Sequence, residues 1–548
     1  MESKPKKQNK YIMRKINIQY MLASLTAVLT LLTACSVDNS MTELKQEEQQ
    51  ENTATDETDD VTKALLSVEG VSDVTILHDD DGNKVYSFTY KQYIDHHNMS
   101  KGLFKQQASL RFKGFDKDVV LYTHGYGMPD KVTDYTDVSK LLDANQLDIE
   151  HRYFGNSMPE GKESVVFTYM DADQQANDIH DLVSELKAKV FQTSKWISTG
   201  VSKDGITTAL QAYYSDLYGW DDIDVFVPFC APFLSGEQYG DGTFSCDDKS
   251  IGRYIHNVCG YGYEEGTEEA IGYQRLRLIP YYICTNPDIR DAAIKACYRS
   301  LPDRYAKVVE QYNSHSDLST GDLTKDLAAF AIYSYYQFMF GWFASISYSQ
   351  WASLIPDVEQ LASGNATRLD FERFSNFLSM DVRSLQILIS QNSTRGKTEQ
   401  KWRLLKEMHK SDKMPYYVQG FKELGTAGDD YSLVDGTYLT AEQCERVNYI
   451  FTIQYAYEGL FEQDKGMLMR NFLSWLETES TRPIFFVYGY NDPWTGGAIP
   501  DETAASNPMV QKLVDLIAVH NDYISTPGYY EPTTKNAILS AINHYLNR

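Results

Sequence analysis

Residues 196–217 constrain this chain most, because a short buried run turns there directly into a helical pattern. Trp196-Ile197-Ser198-Thr199 is nearly all apolar or β-branched, as suits a strand covered on both faces of a parallel sheet. It leads into Gly200-Val201-Ser202-Lys203-Asp204-Gly205, and residues 206–217 then read as a helix. Similar runs lie at 119–123, 165–169 and 225–227, with a helical pattern over 173–190. Such alternation predicts a doubly wound α/β sheet with helices on both faces. Ahead of it, residues 71–77, 84–93 and 108–112 alternate less cleanly and are expected to form an antiparallel edge.

The pattern changes at about residue 239. Helical spacing dominates to about 478, and residues 330–351 are densely aromatic, a stripe read first as core. Strand character returns at 483–488 and 513–519, and 533–546 closes the chain as a helix. The simplest reading is a first sheet part over 63–238, a large, mainly helical cap insertion over 239–478, and a second sheet part over 479–548.

The first 34 residues read differently. Lys4, Lys6, Lys7, Lys10, Arg14 and Lys15 face a single acid, Glu2, ahead of an uncharged apolar run from 21 to 34. That run is short of the ~20 residues a spanning helix needs, so 1–34 is expected to be an export signal. Its Leu32-Thr33-Ala34-Cys35 ending resembles a bacterial lipobox, which implies a diacylated Cys35 and a lipid anchor to the cell envelope. Residues 35–62 are acidic and almost without apolar side chains, as expected of a solvated tether. The formal charge of −25 includes that basic leader, so the remainder carries about −30, and nucleic acid is excluded as a partner. Six cysteines besides Cys35 show no C-x-x-C spacing, and their connectivity is not legible.

A Gly-x-Ser on a strand-to-helix turn is the geometry of a nucleophile elbow, which exposes a hydroxyl above the sheet. The loop after the 119–123 run, His124-Gly125-Tyr126-Gly127, suits close backbone approach. The N–H groups of Tyr126 and Lys203 are therefore the expected oxyanion donors. In the α/β-hydrolase fold the acid and the histidine follow the serine, each after a later strand. Asp492 sits in Gly489-Tyr490-Asn491-Asp492-Pro493-Trp494, after the 483–488 run. His520 follows the next strand pattern, whereas His544 lies in the terminal helix and Asp522 sits too near His520 to buttress it. Ser202, Asp492 and His520 are thus the expected nucleophile, orienting acid and general base. This chemistry calls for no metal and no cofactor.

Glu150-His151-Arg152-Tyr153-Phe154-Gly155-Asn156-Ser157-Met158-Pro159 is similar to the signature of secreted serine tripeptidyl aminopeptidases, relatives of prolyl carboxypeptidase and dipeptidyl peptidase II. Gln174, Gln175, Ala176 and Asp178, the Lys195–Gly200 stretch, the turn at 491–494 and Gln419-Gly420-Phe421-Lys422-Glu423-Leu424-Gly425 add to it. The resemblance runs from about residue 70 to the C-terminus. It implies a serine exopeptidase acting on peptides with a free N-terminus, with Gln419 and Glu423 reaching the site from the cap and Glu423 taking the substrate ammonium. Asp204 stands where the resembled family usually has Gly, which predicts crowding between helix and strand. An ester hydrolase with the same triad, or a surface-binding lipoprotein that has lost activity, are the competing expectations. Oligomeric state is not legible.

Overall fold

The computed structural model describes residues 59–79, 82–128, 135–233, 278–298, 320–342, 414–425, 431–451, 466–520 and 529–547, with a few isolated positions between them. Cys35, the leader, and most of the 239–413 stretch lie outside the described residues.

Among the described residues, nine strands form one sheet in the order β1-β2-β3-β5-β4-β6-β7-β8-β9. Strands β1 (Val71–His78), β2 (Lys84–Tyr93) and β3 (Leu103–Arg111) make an antiparallel edge, and β3 pairs antiparallel with β5 (Asn145–Ile149). From β5 onward the pairing is parallel through β4 (Val119–Thr123), β6 (Trp196–Val201), β7 (Val225–Phe229), β8 (Ile484–Gly489) and β9 (Val510–Asp515). The chain leaves the sheet after β7 and re-enters it beside β7 as β8, so the intervening segment is an insertion into one sheet. This is the topology of an α/β hydrolase.

The helices used below are α1 (Asp60–Leu66), α2 (Asp137–Leu142), α3 (Ala172–Lys189), α4 (Lys203–Tyr218), α5 (Met467–Thr478) and α6 (Pro532–Tyr545). Successive strand residues face opposite ways, and the two apolar clusters follow that alternation. Val119 and Leu121 pack with α3, α4 and α5 through Ile179, Leu210 and Phe472. Val120, Ile197 and Val227 pack on the other face with α2 and α6 through Val138, Ile538 and Ile542. A one-residue slip of a central strand would exchange these two sets, so the register is strongly specified.

The structure differs from the sequence reading at six points. Residues 165–169 form no strand; Glu163–Val166 is a short helix followed by a turn in which Phe167 takes φ 53°. The strand expected at 513–519 is Val510–Asp515, and the one expected at 108–112 is Leu103–Arg111. Strand β5 was not anticipated at all. Helix α1 begins inside the expected tether, capped by Asp59 and anchored by Val61 and Leu65, so the folded body starts before residue 63. Finally, α5 buries Leu468, Phe472, Trp475 and Leu476 in the sheet's own core, which puts it in the body rather than in an insertion ending at 478.

Within the inserted segment, Leu323–Trp342 is a helix whose Leu327, Phe330, Ile332 and Tyr335 are buried. That part of the aromatic stripe is core. Among the described residues no helix is long and apolar enough to cross a membrane.

Candidate active site

Ser202 ends β6 and caps α4 with φ 61° and ψ −122°, a strained pair of angles of the kind held only where the surroundings over-determine them. Here its N–H donates to Phe229 O at 2.8 Å. Its hydroxyl makes no capping bond to the helix. The Oγ instead lies 3.0 Å from Nε2 of His520, and Nδ1 of that ring lies 2.8 Å from Asp492 Oδ2. Asp492 is fully buried, and its second oxygen accepts the Trp494 N–H at 2.8 Å. The structure therefore brings the three side chains, far apart in sequence, into one hydrogen-bonded relay.

The loops carrying acid and histidine are tied together by residues that sequence reading passed over. Asn491 donates its backbone N–H to Ala518 O and its side-chain amide to Leu516 O and Ile517 O. Asp515, at the end of β9, accepts the Ile517 and Ala518 N–H groups through one oxygen, and the Glu531 N–H and Thr534 hydroxyl through the other. Together these bonds shape the turn that presents His520. The sequence signal was the pairing of two polar residues with strand ends, Asn491 after β8 and Asp515 at the end of β9.

Lys203 is the first residue of α4, where a backbone N–H has no intrahelical acceptor. Among the described residues no acceptor takes the backbone N–H of Lys203 or of Tyr126. Asp204 does not crowd the elbow. The close approach of strand to helix is made at Gly200, where a Cβ would fall 2.4 Å from Asp204 O. The Asp204 carboxylate turns away, towards the loop after β4, and accepts the Tyr122 hydroxyl at 2.9 Å.

The Glu-His-Arg stretch ties the Gly125–Met128 loop and α3 to the end of β5. Buried Glu150 accepts N–H groups from Met128, Asn156 and Ser157 and the Ser157 hydroxyl, fixing the end of the Gly125–Met128 loop. Burial raises its carboxyl pKa, opposed by these donors. Arg152 grips Asp178 of α3 with two bonds of 2.7 and 2.6 Å, both side chains fully buried.

Gln419 ends the helix Met414–Gln419, which continues into one π-turn, Gly420–Leu424. Glu423 Oε1 accepts the Ala172 N–H at 2.7 Å and the Gln419 amide at 2.9 Å. Burial raises the Glu423 carboxyl to about 8, with Asp171 adding to the effect. Gln419 also borders a cavity of about 10 Å³ shared with His151, Gln175 and Gln211, room for about one water.

Among the described residues, one group could converge on a metal, Cys230, Asp492 and His520, with ligating atoms within 4.8 Å of one another. Both His520 nitrogens are already engaged by Asp492 and Ser202, so an ion there would have to break the relay.

Residues 54–271 match the family described as PS-10 peptidase S37. Over that stretch the chain is similar to the peptidase S37 family. A prolyl tri/tetrapeptidyl aminopeptidase of Streptomyces mobaraensis is 28% identical over 177 residues, 32% of this chain and 33% of that protein. The match thus spans about a third of the relative's length. Solved structures with lower similarity include Candida antarctica lipase A in its closed state, with 10% identity, a TM-score of 0.31, and 84% of this chain and 78% of that one covered. Another is a Rhizomucor miehei esterase, with 11% identity, a TM-score of 0.29 and 85% of each chain covered. The S37 match includes Ser202, the Gly125–Met128 loop and Arg152, and ends before Asp492 and His520.

Proposed function

We propose that this chain is an S37-like serine exopeptidase that releases short peptides, chiefly tripeptides, from the free N-terminus of peptide substrates. The observation that carries the reading is the Ser202–His520–Asp492 relay, and the similarity of residues 54–271 to a family of peptidases supports it. His520 removes the Ser202 proton as Oγ attacks the scissile carbonyl, then returns a proton to the leaving amine. Asp492 holds the Nδ1–H tautomer and balances the imidazolium formed in between. The Lys203 and Tyr126 N–H groups, neither with an acceptor among the described residues, receive the developing oxyanion. The acyl-enzyme is then cleared by water in the same way. No step needs a metal.

Selection of a free N-terminus is assigned to Glu423. Its two donors both use Oε1, so Oε2 serves as acceptor for a substrate ammonium, whose charge offsets the burial that keeps the free carboxyl protonated, with Gln419 orienting the group. The relative's name supports proline as one residue to test in the released peptide. Export and a diacylated Cys35 in the bacterial envelope remain part of the proposal on the strength of residues 1–35 alone.

The test compares Ala-Ala-Pro and Ala-Ala-Ala p-nitroanilides with a short-chain p-nitrophenyl ester. Release of intact tripeptide at a kcat/KM at least tenfold above the N-acetylated versions supports the reading. Ester turnover with no peptide cleavage would assign the relay to an ester hydrolase instead. Failure of folded protein to turn over either substrate would favour a surface-binding role.

A further inference from the structure

The two residues behind the nucleophile grip the opposite loop from both sides of one glycine. Asp204 Oδ1 accepts the Gly125 N–H at 2.5 Å, and Lys203 Nζ donates to the Gly125 carbonyl at 2.6 Å. We propose that Lys203 and Asp204 are positioning residues that clamp Gly125 and thereby aim the Tyr126 N–H as an oxyanion donor. The inference rests on the serine-hydrolase reading above and deepens it.

The Gly125 carbonyl and the Tyr126 N–H belong to one planar trans peptide and point in opposite directions. Holding the carbonyl on Lys203 therefore fixes the direction of the N–H. The loop is pressed hard against the elbow helix: a Cβ on Gly125 would fall 2.8 Å from Asp204 Oδ1 and 2.9 Å from the Lys203 carbonyl carbon. Only glycine lets the peptide sit there, on the turn that also offers the Lys203 N–H.

Each arm of the clamp is itself secured. Asp204 Oδ2 accepts the Tyr122 hydroxyl at 2.9 Å, so its carboxylate cannot swing away from the loop. Lys203 is almost wholly buried, with its ammonium 5.5 Å from the Tyr126 ring centre and 6.0 Å from that of Phe154, cation–π range for both. Tyr126 is held further by its own carbonyl, which accepts the His151 N–H at 3.3 Å. Burying an ammonium and a carboxylate is costly unless both are engaged. Here each is engaged by the same residue, Gly125, on the two peptides that flank its Cα.

The clamp is tested by kcat and KM of K203M, K203Q, D204A, D204N and Y122F on a free-amino tripeptide p-nitroanilide, with thermal melts confirming folding. Misplacing one oxyanion donor lowers kcat by about 10²-fold. K203M and D204A are expected to lose that much with KM within threefold. K203Q keeps a donor and D204N an acceptor, so each should recover at least tenfold over its partner. Y122F removes a hydroxyl and no charge, and should lose two- to tenfold in kcat. Folded K203M with wild-type kcat overturns the proposal. Should K203M or D204A not fold, unchanged kcat in both Y122F and K203Q alongside wild-type-like KM overturns it as well. Ser202→Ala separates the two levels. If S202A cleaves like wild type, the serine mechanism is at fault; if S202A is inert while the clamp variants match wild type, only the clamp fails.

Discussion

Replacing Arg152 by Met removes the guanidinium from the most enclosed ion pair among the described residues. Five bonds go with it: two to the Asp178 carboxylate, and one each to the carbonyls of Ile94, Tyr169 and Tyr93, at 2.6–3.2 Å. Both charged side chains are fully buried. Breaking a buried pair by deleting one partner costs about 3–5 kcal/mol, because the remaining charge has lost its compensation. His96 still faces Asp178 Oδ1 at 2.8 Å, which places the carboxylate term at the lower end. The three orphaned carbonyls, at about 1–3 kcal/mol each if they stay dry, push the total upward. With each carbonyl at the low end, a loss of about 6 kcal/mol is expected, or about 12 °C in Tm at roughly 2 °C per kcal/mol for a body of this size. Lys at 152 keeps the charge but not the planar fork, so it should fall between wild type and Met. Urea and thermal unfolding of the three proteins measure this. A Met variant within 1 kcal/mol of wild type, or a Lys variant equal to wild type, would refute the bidentate clamp as the reason for arginine here.

Other expectations follow from single residues. Burial pushes the Lys203 ammonium down from 10.5 to about 7, against the opposing pull of Asp204 and Glu423, while His151 and the Tyr126 and Phe154 rings complete its surroundings. Between pH 7 and 10.5 the unfolded chain then holds a proton that the folded chain has released, so stability relative to K203M rises with pH. The gain should be about 2–3 kcal/mol from pH 7 to 9, and a difference that stays flat or falls would contradict it. Replacing Glu423 by Gln should cost about tenfold or more in kcat/KM on free-amino peptides, the loss of one charged hydrogen bond. Equal losses on N-acetylated peptides would show that Glu423 serves packing alone.

The sequence revealed the relay because its members obey a chain order that the fold imposes, each side chain following a different strand of one sheet. Ser202, Asp492 and His520 could be placed from apolar runs and the turns after them. Strand β5 escaped because its residues Asn145, Gln146 and Asp148 are polar yet buried. Asn145 bonds to the Lys113 N–H and to the carbonyls of Gly114, Lys117 and Asp118, and periodicity of apolar residues carries no trace of such partners. The opposite error arose at 165–169, where an apolar run suited a strand, yet Phe167 sits fully buried against the Tyr153 ring outside the sheet. Leu516 and Ile517 read as strand because they are apolar, although they are exposed and belong to the His520 turn. Asp204 was expected to crowd the elbow, because sequence shows its bulk but not the Gly125 N–H and Tyr122 hydroxyl that receive its charge.

The most direct test of the relay is covalent labelling by a fluorophosphonate followed by peptide mass spectrometry. The expected result is one modified serine, Ser202, with labelling abolished in S202A and H520A and slowed at least a hundredfold in D492A. Labelling that persists in S202A, or folded wild-type protein that takes up no probe, would contradict it.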